Sequence, residues 1–222
     1  EHDLRVVLNL LSKLPENKKV PLAKLEQLKE QELSIYQHEE SKLFPSWFTF
    51  GARSKGELEG FLRSNELIKR YGTFQPESME FETHGIQERE VVLDGSNVAH
   101  NSHVDHKAMP TVENMMLMVR YLKDKGFKNI KVISDASLKH KLEDVERLDE
   151  LKEMVDYQES KPKTSADIYI IQYVKKNHCL LVSNDKFKEW KALDPWIGDN
   201  VDYYRLSFWI REGKVSLTEF EA

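Results

Sequence analysis

The sequence contains a single cysteine, and this scarcity excludes two kinds of covalent or metal support within the chain. A disulfide framework needs pairs of thiols, and the common structural zinc sites need several cysteine ligands. Because Cys179 lies inside an apolar run, we expect it to be a small buried hydrophobe. The fold must therefore rest on a hydrophobic core, which 222 residues with 40% hydrophobic content can supply.

Long apolar runs and a strong positive charge are also absent. No segment approaches the ~20 consecutive apolar residues of a membrane span, and the start EHDLRVV lacks the basic residues of a secretory signal. We therefore expect a cytoplasmic protein with no membrane partner. The sequence starts at Glu1 rather than at an initiator methionine, which suggests that the chain was trimmed. The formal net charge of −5 means that a nucleic-acid partner would need a local basic patch or metal ions.

The character of the sequence changes near Gln87, and we place a domain boundary there. Residues 1–87 are rich in Lys, Glu and Leu, with leucines at helical spacing, which predicts a small, mainly helical N-terminal domain. The order of its helices and its aromatic stretch 44–50 is loosely similar to a winged-helix or LOTUS-type module. We favour a helical cap or a partner-docking element, because helical periodicity indicates burial rather than function, and leave nucleic-acid binding open.

Residues 88–222 alternate predicted strands with predicted helices, which is typical of an α/β domain. The predicted strands cover about 90–93, 129–134, 154–157 and 179–182, and the segment 201–220 predicts an edge hairpin. Apolar runs of this kind are typical of a mainly parallel sheet covered by helices on both faces. Ligands of such sheets bind beyond the carboxyl ends of the strands.

Aspartates follow three of the predicted strands, and a fourth lies at a helix start. Asp94, Asp135 and Asp185 end apolar runs, and Asp167 lies in the first turn of a predicted helix. Each alone has a simpler interpretation as a helix cap or turn residue. Right-handed crossovers, however, bring strand ends and the intervening helix starts to one edge of the sheet. Four carboxylates there would repel one another, which indicates a bound cation.

The ligands available at this edge are oxygen atoms, and they favour Mg²⁺ or Mn²⁺ over Zn²⁺. Such ions mainly serve phosphoester chemistry. They polarise the phosphate, lower the pKa of a bound water that becomes the nucleophile, and neutralise the departing oxygen. No side chain then needs to act as a covalent nucleophile.

Two motifs, DGSNVAH at 94–100 and VSNDKFKEW at 182–190, resemble the NYN/PIN-like ribonucleases and in particular the Regnase-type branch. The resemblance covers about residues 88–222. It implies a metal-dependent endoribonuclease in which Asp94, Asp167 and Asp185 hold Mg²⁺ or Mn²⁺ and Asn97 orients them. A metal-activated water would attack single-stranded or structured RNA, and the preference for RNA over DNA is implied by the family alone.

The chain departs from the Regnase-type pattern in two respects. That branch often has two adjacent acids at the helix start, whereas Ala166 precedes Asp167 here, and we expect Asp135 to supply the missing catalytic charge. One cysteine also cannot build the CCCH zinc finger of the eukaryotic members. Two alternatives therefore stay open: an inactive NYN domain that binds RNA or a protein, and a PIN-like nuclease acting on DNA. Formation of a homodimer is left open as well.

Substrate contacts are expected from polar residues around the aspartates. The N-terminus of the Asp167 helix is positively polarised and could meet phosphates together with the residues before it, namely Lys161, Lys163 and Thr164. The other candidates lie in loops after strands: Ser96, His100, His103, Ser183 and Asn184. The simpler interpretation of each residue is that it lies in a solvated linker or hydrogen-bonds the backbone groups of a turn. Three tryptophans could stack on bases, but packing is the better expectation for Trp190, Trp196 and Trp209.

Overall fold

A computed structural model of the chain describes residues 7–8, 10–15, 17–40, 57–85, 89–101 and 109–217. The chain divides into two compact units, Glu1–Gly85 and Ile86–Ala222. No helix in the described ranges is long and apolar enough to cross a membrane. The aromatic stretch 44–50 and His103, both named by the sequence analysis, lie outside these ranges.

The described part of the first unit combines helices with a small antiparallel sheet. Its helices are α1 at Leu22–Glu40 and α2 at Glu57–Ser64, with a 3₁₀ turn at Glu66–Arg70. Its strands, in the spatial order β1-β3-β2, are β1 at Lys19–Pro21, β2 at Gly72–Gln75 and β3 at Glu80–Thr83. The sequence predicts these helices but not the sheet, because strands of three or four residues barely display a two-residue period.

The second unit is built around five parallel strands, which confirms the predicted mainly parallel sheet. The strands are β4 at Glu90–Asp94, β5 at Asn129–Ser134, β6 at Asp156–Glu159, β7 at Leu180–Val182 and β8 at Arg205–Leu206. Their spatial order is β6-β5-β4-β7-β8. The chain therefore builds the sheet outward on one side of β4 and then on the other. The border between β4 and β7 is the topological switch point, where open α/β sheets bind ligands.

Helices flank this sheet, and a hairpin follows it. The helices described in this unit are α3 at Gly95–His100, α4 at Val112–Asp124, α5 at Leu148–Met154, α6 at Ala166–Asn177, α7 at Lys188–Lys191 and α8 at Pro195–Tyr204. The hairpin consists of β9 at Phe208–Arg211 and β10 at Lys214–Leu217, as the sequence predicts. The residues just before it differ from the prediction, because they complete α8 and add β8 to the main sheet.

The central strand is the most deeply buried part of the sheet. Val91, Val92 and Leu93 are all 0% exposed, so β4 is covered on both faces. Helix α4 contributes Met115 and Met116 to the same core, where both are 0% exposed and act as packing residues. A strand buried on both faces holds its last residue firmly, and in β4 that residue is an aspartate.

Gly95 permits the close approach of α3 to β5. A Cβ atom there would lie 2.9 Å from Val132 Cγ1 and 3.1 Å from the carbonyl oxygen of Ile133. Overpacking of this kind typically costs ~1–3 kcal/mol, and we expect Gly95→Ala to lower the free energy of unfolding by that amount. Chemical denaturation followed by circular dichroism measures the change.

A matched control lies in α8 of the same unit. A Cβ at Gly198 would meet only the carbonyl oxygen of Lys191, at an ordinary 3.4 Å. Gly198→Ala should therefore be neutral or stabilise the protein by up to ~1 kcal/mol, because alanine favours a helix over glycine. Equal losses of stability in the two variants would contradict the packing role of Gly95.

Candidate functional site

Asp94 lies at the end of β4 and is only 4% exposed. Its carboxylate accepts a hydrogen bond from the backbone N–H of Asn97 at 3.0 Å, which makes it the N-cap of α3. The other carboxylate oxygen accepts a hydrogen bond from Ser183 Oγ at 2.9 Å. Ser183 directly follows β7, so this second bond joins the two strand ends at the switch point.

Burial raises the pKa of Asp94 to about 7 from an ordinary 3.8. The hydrogen bonds from Asn97 and Ser183 oppose this rise, whereas the neighbouring carboxylates of Asp167 and Asp185 add to it. None of these three carboxylates forms an ion pair with a lysine or arginine in the part of the chain that is described. A group in this environment takes up either a proton or a cation.

Asp167 is the second residue of α6. Ser165 is the N-cap of that helix, and its Oγ accepts a hydrogen bond from the backbone N–H of Asp167 at 3.2 Å. The carboxylate of Asp167 accepts a hydrogen bond from the indole N–H of Trp190 at 3.1 Å. Partial burial raises the pKa of Asp167, and the charges of Asp185 and Asp135 raise it further.

Asp185 lies in an exposed turn after β7. Its backbone N–H donates to Ser183 Oγ at 3.1 Å, and its carboxylate accepts the N–H of Phe187 at 2.9 Å. Phe187 is 1% exposed and has a φ of 50°, a left-handed conformation that is unfavourable for a bulky residue. Burial of the Phe187 ring therefore anchors the turn that carries Asp185.

Asn97 supports the same turn, and its expected role in orienting the metal ligands stays a prediction. Its side-chain oxygen accepts the backbone N–H of Asn184 at 2.9 Å. The amide of Asn184 is itself engaged by Phe208, donating to its carbonyl at 2.8 Å and accepting its N–H at 3.0 Å. The sequence predicts substrate contacts for Ser183 and Asn184, but the structure uses both side chains inside the protein.

Asp135 joins three elements, because each of its carboxylate oxygens accepts a hydrogen bond from a different helix start. One oxygen accepts the backbone N–H of Ala166 at 2.9 Å, and the other accepts Ser96 Oγ at 2.9 Å. Ser96 in turn accepts the backbone N–H of Asp135 at 3.0 Å. Asp135 therefore positions the starts of α3 and α6 relative to β5. The structure gives both side chains a positioning role, and the catalytic charge expected of Asp135 and the substrate contact expected of Ser96 stay predictions.

A basic groove of about 610 Å³ lies beside Asp135. Its walls include the predicted residues Lys161, Lys163 and Thr164, together with Lys139 and His140 of a 3₁₀ turn. Lys139 pairs with Glu159, whereas Lys161 and Lys163 form no ion pair within the described ranges. His100 lies elsewhere, with Nδ1 2.7 Å from the carbonyl oxygen of Ser96 in its own helix.

A second groove, of about 490 Å³, lies on the side of Asp167 and Asp185. Its lining also includes Trp190 and two exposed lysines, Lys186 and Lys188. Sequence reasoning did not assign Trp190 to the site. The only signal was its place at the end of the VSNDKFKEW motif, and no spacing rule links that position to Asp167.

The chemistry of the three carboxylates suits a hard divalent cation, because Asp94, Asp167 and Asp185 offer only oxygen atoms as ligands. Across residues 89–101 and 109–217, as in the rest of the described chain, no three acidic, histidine or cysteine side chains lie close enough together to hold an ion. The carboxylates instead accept hydrogen bonds from separate protein donors while lying near enough to raise the pKa of Asp94.

A parallel sheet with carboxylates gathered at its switch point defines an α/β domain of the NYN/PIN-like class. The chain belongs to the Zc3h12a-like ribonuclease NYN domain family, whose model matches residues 87–221. This confirms the resemblance carried by the DGSNVAH and VSNDKFKEW motifs. The function is accordingly of the nuclease type.

Other comparisons are more distant. An uncharacterized protein of Methanocaldococcus jannaschii is 26% identical over 177 residues, which cover 78% of this chain and 34% of that protein. The chain thus spans about a third of the length of this relative. Two solved structures of nuclear RNase P 2 from Arabidopsis thaliana are 15% identical, with TM-scores of 0.48 and 0.47. Each alignment covers 59% of this chain and 29% of the plant protein.

Asp94→Asn removes a buried charge, and we expect it to stabilise the metal-free protein at alkaline pH. The pKa of about 7 in the folded state lies above the ordinary 3.8, so ionisation of Asp94 costs folding free energy as pH rises through this window. The cost is absent below about pH 4 and reaches at most ~4 kcal/mol above about pH 7. In EDTA, the variant should melt above wild type at pH 8 but near it at pH 4. A constant difference across this range would contradict the assigned cause.

Proposed function

We propose that this chain is a metal-dependent endoribonuclease that hydrolyses RNA phosphodiester bonds. One observation carries the proposal: a buried carboxylate, Asp94, is held at the switch point within the electrostatic reach of Asp167 and Asp185. No basic side chain of the described ranges neutralises the three groups. Membership of a ribonuclease domain family supports the same conclusion.

Asp94, Asp167 and Asp185 are the residues that would hold Mg²⁺ or Mn²⁺, and binding would require them to approach one another more closely than they do without the ion. When bound, such an ion supplies charge neutralisation at the phosphate and lowers the pKa of a water molecule. The chain contributes orientation: Asn97 and Ser183 hold the strand ends, and Asp135 holds the start of α6. Side chains fixed by hydrogen bonds of this kind keep ligands in place before substrate arrives.

The basic groove beside Asp135 is the proposed contact for the RNA backbone. Lys161 and Lys163 are unpaired within the described ranges, and the positively polarised N-terminus of α6 lies next to them. Because the chain carries a net charge of −5, local cations of this kind are needed to attract a polyanion. Thr164 lines the same groove and is a candidate hydrogen-bond donor to phosphate.

Loss of any one proposed ligand should strongly reduce catalysis. We expect Asp94→Asn, Asp167→Asn and Asp185→Asn to lower kcat by at least ~100-fold, since even the supporting residues of a metal site typically contribute 10–100-fold. The assay is cleavage of single-stranded and hairpin RNA in Mn²⁺ or Mg²⁺, with DNA of the same sequence alongside. Asp149→Asn, at a side chain 91% exposed on α5, is the control and should match wild type.

Three outcomes would redirect the proposal. Preferential cleavage of the DNA would favour a DNA-directed PIN-like nuclease. Full activity in the three variants would overturn the ligand assignment. No cleavage by wild type, combined with tight RNA binding, would favour the second candidate.

That second candidate is an NYN domain that acts as a binding module for RNA or a protein. Ala166 favours it, because this buried methyl group stands where Regnase-type enzymes often have a second acid. Calorimetric titration with Mn²⁺ separates the candidates, since a site for catalysis must bind the ion whereas an inactive site should bind it poorly.

Removal of the groove lysines should weaken binding rather than chemistry. We expect the double variant Lys161→Ala/Lys163→Ala to raise KM with little change in kcat. If each lysine neutralises one phosphate of single-stranded RNA, the slope of log KM against log salt should decrease by about 1.4. Lys214→Ala, at an exposed position on β10, is the matched control. An unchanged KM and salt dependence in the double variant would contradict a phosphate-binding role.

A further inference from the structure

Trp190 makes a polar contact with the carboxylate of Asp167, the second residue of α6. Its indole N–H donates to Oδ2 of Asp167 at 3.1 Å, across 23 residues of sequence. An indole N–H can only donate a hydrogen bond, so the Asp167 carboxylate is the acceptor in this contact. A side-chain hydrogen bond with Ser165 also acts on the Asp167 carboxylate, and an ionised carboxylate keeps further lone pairs with which it can bind another ligand.

The segment that carries Trp190 is fixed at both ends. On one side, buried Phe187 starts α7 and its N–H binds the carboxylate of Asp185. On the other, the carbonyl oxygen of Trp190 accepts the backbone N–H groups of Leu193 and Asp194, both at 3.0 Å. One short turn therefore contacts the carboxylates of Asp167 and Asp185 together.

The indole of Trp190 is half-buried, so part of the ring packs against the protein and part contacts solvent. Trp190 lines the groove of about 490 Å³ in front of the two carboxylates, and its ring edge is held by the bond to Asp167. The indole N–H of a buried tryptophan usually finds an acceptor, and at Trp190 that acceptor is a proposed metal ligand, Asp167. Carboxylates that bind metal ions are commonly held by an outer hydrogen bond, and such bonds contribute 10–100-fold to affinity or activity.

We propose that Trp190 is a positioning residue, which holds Asp167 through its indole N–H in the orientation needed to bind a divalent cation. This inference rests on the proposed function. It gives helix α7 a role in the site, in addition to the roles of the aspartates. It also explains how a helix start with one carboxylate in place of two is kept ready for a cation.

The first experiment compares Mn²⁺ affinity in three forms of the full chain by calorimetry. Trp190→Phe retains an aromatic ring but lacks the N–H, and we expect it to bind Mn²⁺ ~10–100-fold more weakly than wild type. Trp209→Phe, at a residue 45% exposed on β9, is the matched control and should bind with unchanged affinity. Equal affinity in wild type and Trp190→Phe would overturn the inference.

The second experiment uses wild-type protein alone, and it holds even if the Trp190 variant does not fold. The chain has four tryptophans, whose indole N–H groups give separate signals in a ¹⁵N-labelled sample. Paramagnetic Mn²⁺ should broaden the Trp190 signal at lower concentration than the Trp209 signal, because only the former contacts a proposed ligand. Simultaneous broadening of both signals, or broadening of neither in saturated protein, would overturn the inference.

Failure of the inference and failure of the proposed function are distinguishable. If wild type binds no Mn²⁺ at all, the metal-dependent function fails and the role of Trp190 fails with it. If wild type binds Mn²⁺ and Trp190→Phe binds it equally well, only the positioning role is lost. Weaker binding in Trp190→Phe with unchanged binding in Trp209→Phe supports both.

Discussion

The hydrogen bond from Ser183 to Asp94 is the interaction on which the candidate site depends. It joins the ends of β4 and β7 across 89 residues of sequence, at the border where the order of the strands reverses. Ser183 is 0% exposed and also accepts the backbone N–H of Asp185. One buried hydroxyl therefore sets the positions of two carboxylates, and the remaining contacts orient the elements around them.

This arrangement places electrostatic repulsion inside a well-packed domain. Burial and neighbouring acids raise the pKa of Asp94 to about 7, and the hydrogen bonds that it accepts offset only part of the cost. The apolar residues of β4, which are 0% exposed, stabilise the strand that carries this charge. Groups whose burial or charge destabilises the fold, but which a stable framework retains, are characteristic of functional sites.

Three carboxylates, those of Asp94, Asp167 and Asp185, influence one another electrostatically, and a fourth holds the framework. Asp135 has both oxygens engaged, by Ala166 and Ser96, so it links β5 to the starts of two helices. Its charge still raises the pKa of Asp167. Asp135, which seemed equivalent to the other acids in sequence, thus joins elements of the framework, while Trp190, which carries no charge, contacts Asp167 directly.

The sequence by itself determined the α/β class, the parallel sheet and the aspartates at strand ends, because buried strands and tight turns have local signatures. It did not reveal the three-stranded sheet of the first unit, whose strands have only three or four residues. Tertiary structure alone decided the partners of Asp135, Asn184 and Trp190. The hydrogen bonds of these three side chains join residues 23 to 39 positions apart. Such contacts depend on how crossovers and loops return to the sheet edge, which no local pattern specifies.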